Sequence, residues 1–202
     1  MDGVVWQTSP SGSFSVKVAY QNLAPNGATV EWHKLVWYPQ FIPKASFILW
    51  LAIKCRLGTQ DRLYISSTNP KCLICNSQME THDHLFFTCP VSSSIWGNVL
   101  HKCHDSYHST PWEEYISLLS NHWKGKSLMT TIKRICLAST VYIIWAERNS
   151  RYHNNNSRDI NSIVSNILEL AQLKLSSLSK VKNNSPNQDI KEEWGLPDSI
   201  FH

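Results

Sequence analysis

Cys72-Leu73-Ile74-Cys75-Asn76-Ser77-Gln78-Met79-Glu80-Thr81-His82-Asp83-His84-Leu85-Phe86-Phe87-Thr88-Cys89 reads C-x2-C-x8-H-x4-C. A C-x2-C turn sets two thiolates on one side of a cation, and the four tetrahedral bonds of zinc need a second pair returned by the chain. His84 and Cys89 supply that pair, with His82 as a rival imidazole that leaves a six-residue gap to Cys89. A helix over Thr81 to Thr88 would carry Cys89 just past its end, where Pro90 turns the chain and aims the sulfur back. Three thiolates and one imidazole fill the sphere and leave no position for an activated water. The expected ion is one structural Zn2+, contributing on the order of 10 kcal/mol of local folding free energy.

Outward from this unit the pattern is helical. Pro90 opens a helix whose Val91, Ile95 and Val99 share a stripe beside Trp96 and Leu100. Lys102 to Ser109 reads as a polar loop, and its His101-Lys102-Cys103-His104 and His108 lack the paired-cysteine turn of a metal site. Pro111 to Trp123 is a short helix. Leu128 to Tyr152 is a core helix, with Ile132, Ile135, Ser139, Tyr142 and Ile143 at steps of three and four. Asn154-Asn155-Asn156 breaks it, and Asp159 caps a last amphipathic helix from Ile160 to Leu178. From Lys182 onward Asn, Pro and Ser dominate and predict a mobile tail.

Upstream, Val4 to Thr8 and Ser13 to Val16 predict a β-hairpin about Pro10 and Gly12, followed by a helix over Lys17 to Leu23. Val30 to Trp37 reads as a helix capped by Thr29, and Pro43 opens an apolar helix to Cys55. Gly58 stops that helix, and Thr59 with Asp61 starts another through Tyr64 and Ile65. Cys55 and Cys136 are expected in the core. The fold class is therefore mainly α, a helical domain with a short N-terminal β-hairpin and a small Cys-Cys-His-Cys zinc-binding unit.

Length, at 202 residues and 23.2 kDa, suits one compact domain with a tail. Six cysteines are too few for a disulfide scaffold, and no basic-then-apolar leader opens the chain, so a reducing, intracellular setting is expected. The near-apolar runs, Ala45 to Ile53 and Ile135 to Ala146, fall short of the ~18 residues of a membrane span. No membrane partner is expected. The net charge of +4 permits nucleic-acid binding, and seven cations stand against Glu147 alone between Lys124 and Arg158.

Cys72-x2-Cys75, the run Glu80 to Pro90 and Ile95-Trp96 resemble the zinc-binding domain that follows the polymerase in plant LINE-type (non-LTR) reverse transcriptases. Trp6, Gly12 to Lys17, Ala19-Tyr20, Ile42-Pro43-Lys44, Phe47 to Trp50 and Gly58 to Leu63 are similar to that family's upstream pattern. Ile144-Trp145-Ala146-Glu147-Arg148-Asn149-Ser150-Arg151 is similar to the segment that often follows. The resemblance implies Cys72, Cys75, His84 and Cys89 as zinc ligands, a role with RNA or DNA, and a nuclear location. It implies a reverse-transcriptase-type zinc-binding domain over 1–110 with its zinc unit at 72–89; periodicity and composition add a C-terminal helical region over 111–180 and a flexible tail over 181–202.

Catalysis is not expected. The sequence has no Asp-Asp pair to hold polymerase metals, no carboxylate cluster of an RNase H, and no H-x-E before the Pro70-Lys71-Cys72-x2-Cys75 stretch, as a zinc deaminase needs. The chain is thus expected to be a detached fragment of such an element or a host gene derived from one, with no small-molecule substrate. Its expected partner is RNA or single-stranded DNA, contacted through Lys71, Lys124, Lys126, Arg148 and Arg151. The alternative is a zinc-stabilised protein-protein scaffold docking through the Ile160 to Leu178 helix.

Overall fold

The computed structural model describes residues 6, 12–23, 30–63 and 70–202. Two units are present, Met1–Val30 and Glu31–His202. In the first, helix α1 (Val16–Leu23) starts with the bond from the Ala19 N–H to the Ser15 carbonyl. Trp6 donates its backbone N–H to the Gly12 carbonyl, and its ring meets Phe14 edge-on at 5.1 Å.

The expected hairpin is corrected here. Among the described residues there is no β-strand, only the isolated bridges Lys71–Met79 and Val181–Phe201. Val16, read as the end of a strand, opens α1 instead, while Val4, Val5 and Gln7 to Ser11 lie outside the described residues. A lone two-stranded ribbon is marginal in water, whereas the helix gains a hydrogen bond per added residue.

The second unit is built around one long helix. Helices α2 (His33–Val36) and α3 (Pro43–Ile53) precede the metal-site segment, and α4 (Pro90–Lys102), α5 (Trp112–His122), α6 (Leu128–Asn154), α7 (Ile160–Ser176) and α8 (Ser185–Trp194) follow it. Pro43 and Pro90 occupy first helical turns, where a missing N–H costs nothing. Ser127 accepts from the Thr130 N–H to cap α6, and left-handed Asn155 ends it. Asp159 caps α7 through the Ser162 N–H.

Helix α6 packs against α3 on one side and α7 on the other, with α4 bridging to α7. Ile132, Ile135, Leu137 and Ile144 are fully buried, each contributing about 1.5–3 kcal/mol. By length and composition α6 could cross a membrane, but most of it is covered within the protein and it carries two buried charged residues, Glu147 and Arg148. On α7, Ile163, Ile167, Ala171 and Leu175 are buried.

Other boundaries differ from the sequence reading. Helix α2 is shorter than Val30 to Trp37, and its proposed cap Thr29 lies outside the described residues. Thr59 begins a turn, with the Arg62 and Leu63 N–H groups on its carbonyl, and Tyr64 and Ile65 lie outside the described residues. Cys55, expected in the core, is half-buried in a left-handed conformation just past α3. The segment 181–202, expected as a flexible tail, carries α8, and Ile190, Trp194, Leu196 and Ile200 are buried. Gln172 of α7 donates to the Trp194 carbonyl, and Val181 bridges to Phe201.

Candidate metal centre

The first half of the site is a knuckle. The Cys72 N–H bonds to the Gln78 carbonyl at 2.7 Å and the Glu80 N–H to the Pro70 carbonyl at 2.8 Å, so the chain doubles back within ten residues. The turn closes with the Asn76 N–H on the Cys72 carbonyl at 2.7 Å, Asn76 adopting φ 56°. Asparagine tolerates this left-handed position better than most residues.

The second half depends on helix pitch. An α-helix turns 100° per residue, so residues five apart lie about 140° around the axis from one another. His84–Thr88 is instead a π-helical turn, closed by the Cys89 N–H on the His84 carbonyl at 2.7 Å. The wider turn brings position five back over position zero, which is what an H-x4-C spacing requires. Carbonyls it leaves free are met by hydroxyls: Ser92 donates to Leu85, and Ser93 and Tyr107 donate to Phe87. Phe87 stacks on Trp112 at 4.9 Å and meets Tyr115 edge-on at 4.7 Å, which anchors the turn in the core.

The sulfurs of Cys72, Cys75 and Cys89 and a ring nitrogen of His84 all lie within 4.8 Å of one another. Metal–sulfur bonds of about 2.3 Å in a tetrahedron give sulfur–sulfur edges of about 3.8 Å, so the donor set fits a soft four-coordinate cation. Cys75 Sγ is 3.2 Å from His84 Nε2, which makes Nε2 the inward-facing nitrogen; His84 Nδ1 is buried with no partner among the described residues. Cys89 is pushed down to about 5 by a hydrogen bond from Cys72, which outweighs its burial, and by the Val91 and Ser92 N–H groups at the start of α4. Cys72 is raised by giving that hydrogen bond and by burial.

His82, the rival imidazole, faces elsewhere. Its Nε2 accepts the Leu57 N–H at 3.2 Å and its Nδ1 lies 3.3 Å from Thr59 Oγ1, so it ties the knuckle to the 57–59 loop. Burial lowers its pKa, in keeping with a neutral ring that accepts a backbone hydrogen bond.

Helix α6 clamps the knuckle through two buried carboxylates. Glu80 accepts the Gln60 N–H at 3.0 Å, the Leu73 N–H at 3.1 Å and Arg148 Nε at 2.9 Å, and the Arg148 side chain is 2 % exposed. Arg151 donates to the Leu73 and Ile74 carbonyls, at 3.2 and 2.8 Å, inside the C-x2-C turn itself. Glu147 orients Arg151 at 2.8 Å and Arg158 at 2.7 Å.

Arg148 and Arg151, two of the expected phosphate contacts, are hydrogen-bonded to the knuckle. Lys71, Lys124 and Lys126 are exposed. Lys124 reaches Asn121, and Lys126 lines a cleft of about 630 Å3 with Lys180 and Lys182. The His101 to His108 stretch does not converge: Cys103 points into the core and His104 meets Glu193 at 2.6 Å. Glu80, Glu147 and Arg158 were missed from sequence, although Glu147 stood out as the single acid among seven cations.

Residues 14–96 match the family described as zinc-binding in reverse transcriptase. That match falls within the stretch from which the resemblance was drawn. The chain is also 26% identical, over 49% of its length, to the Arabidopsis thaliana protein described as "Putative ribonuclease H protein". It covers 17% of that relative. No solved structure matches significantly.

Proposed function

We propose that the chain is a noncatalytic module in which one structural Zn2+ ties Cys72, Cys75, His84 and Cys89 together, and that the module contacts RNA or single-stranded DNA. The observation that supports it is the donor set: four side chains converge, three of them buried, and three thiolates with one imidazole fill a tetrahedral sphere. The ion holds the knuckle against the π-helical turn, and hence against the core that α4 and α6 share. Lys71, Lys124 and Lys126 are the exposed members of the expected phosphate contacts, while Arg148 and Arg151 act as braces. A nuclear location fits this reading.

A docking role for α7 is less favoured, since its stripe is occupied against α4 and α6 and Leu173 is its one exposed large apolar side chain among the described residues. The test is elemental analysis of the purified chain with titration of fluorescent oligouridylate. One zinc per chain and affinity that falls steeply with salt support the proposal, with a log-log slope of about −0.7 per phosphate contact. A metal-free chain, or a zinc-loaded chain indifferent to RNA and DNA, overturns it.

A further inference from the structure

We infer that the exposed ring-bearing faces of α3 and α6 form a stacking track for single-stranded nucleic acid; this rests on the proposed function and assigns it a surface. Tyr142, Trp145, Asn149 and Tyr152 recur at three and four residues, so they form one stripe along α6. None of them is buried, and Tyr152 is 49 % exposed. Lys44 of α3 lies over the Tyr142 ring at 5.5 Å. One helical turn further along α3, Phe47 is 50 % exposed and packs on Trp50 at 5.6 Å.

Exposed rings thus flank a lysine, which suits bases on aromatic faces and a phosphate on Lys44. An apolar protein partner would not need the charges. The track also continues into positive potential. Thr131, eleven residues before Tyr142, lies on the same side of α6 about 16 Å away. It lines the cleft that holds Lys126, Lys180 and Lys182, and Gln40, on the turn leading to Lys44, forms part of the same wall.

The rings are propped from beneath. The Arg148 guanidinium sits 5.1 Å from the centroids of both Trp145 and Tyr152 while its other side is held by Glu80 of the knuckle. The metal unit thus fixes the height of the platform without touching the ligand.

The experiment is fluorescence anisotropy of labelled oligothymidylate with the zinc-loaded full chain and its Phe47→Ala, Tyr152→Ala and Lys44→Ala variants. Leu173→Ala, on exposed α7 surface, is the control. Each ring variant is expected to weaken binding at least about fivefold, with unchanged zinc content and melting, and Lys44→Ala to reduce the salt slope. Binding by the parent that all three variants retain overturns the track but leaves the proposed function standing. Absence of oligothymidylate binding by the parent overturns the track, and absence of oligouridylate binding as well overturns both. A concentration-dependent dimer dissolved by Phe47→Asp, with no oligonucleotide affinity, would assign the surface to a second copy and overturn the track.

Discussion

Two groups of cysteines meet in this protein, and only one is built for a cation. Cys103 and Cys136 bring their sulfurs to 3.8 Å in the core between α4 and α6. The hydrogen bond with Cys103 and burial raise the Cys136 thiol well above its usual range, and its backbone N–H is spent within α6. Cys89 is as buried, yet a hydrogen bond from Cys72 lowers it, and it starts a helix whose free first-turn N–H groups draw further negative charge onto its sulfur. Proximity of sulfurs is common to both places. What differs is the supply of backbone donors and an imidazole, and these decide where a thiolate can persist.

The largest effect should come from removing that thiolate. Cys89→Ser is expected to abolish metal retention and the cooperative melting of the knuckle, since structural zinc is worth on the order of 10 kcal/mol in zinc-dependent folds. Cys103→Ser should keep a full complement of metal. Mass spectrometry under native conditions and thermal melts check both, and a Cys89→Ser protein with the parent's metal content breaks the distinction.

Next comes the clamp. Arg148→Met leaves Glu80 charged and buried, which should cost about 3–5 kcal/mol in urea unfolding. Chelator competition should show metal bound about 10–100-fold more weakly, because the carboxylate that holds the Leu73 N–H loses its own support. Adding Glu80→Gln to Arg148→Met should recover part of the loss. Full additivity would mean that the two side chains do not act as a pair.

Glu147 gives a smaller, pH-dependent effect. Burial alone would raise its carboxyl, but hydrogen bonds from the Arg158 backbone and side chain and from Arg151 outweigh it and hold the group below its ordinary 4.5. A depressed folded pKa stabilises the fold above 4.5 and loses that contribution as pH falls towards the folded value. Glu147→Gln should therefore cost about 1–3 kcal/mol at neutral pH, and the gap to the parent should close below pH 4.5. A gap constant from pH 7 to pH 3 in denaturant titrations would show that the charge is immaterial.

The metal ligands were legible because their chemistry needs fixed spacings within a short stretch, and α4, α6 and α7 because their apolar periods run for many turns. The clamp was not. Glu80 and Arg148 are 68 residues apart, and a charged side chain in sequence looks the same whether it faces water or a buried partner. Arg148 and Arg151 were accordingly read as phosphate contacts. The tail misled for a related reason: Ile190, Trp194, Leu196 and Ile200 are few and set among polar residues, so composition hides a helix that Asn184 caps and the core holds. At the N-terminus, alternation over a few residues suggested strands where Val16 starts a helix.

The smallest expected change tests the silent cysteine pair. Cys136→Ala removes one heavy atom from a fully buried position and should cost about 0.5–1.5 kcal/mol, in line with other small core deletions, with metal content unchanged. Its informative readout is thiol labelling. With a chelator present, Cys72, Cys75 and Cys89 should react with a disulfide reagent while Cys103 and Cys136 stay protected until denaturant is added. The protection follows from where Cys136 sits, mid-helix on α6 among side chains held by apolar packing, about 18 Å along the axis from Arg148 and the knuckle it braces. Should all five thiols react together, losing the ion melts the core as well, and the two cysteine groups belong to a single cooperative unit despite their opposite chemistry.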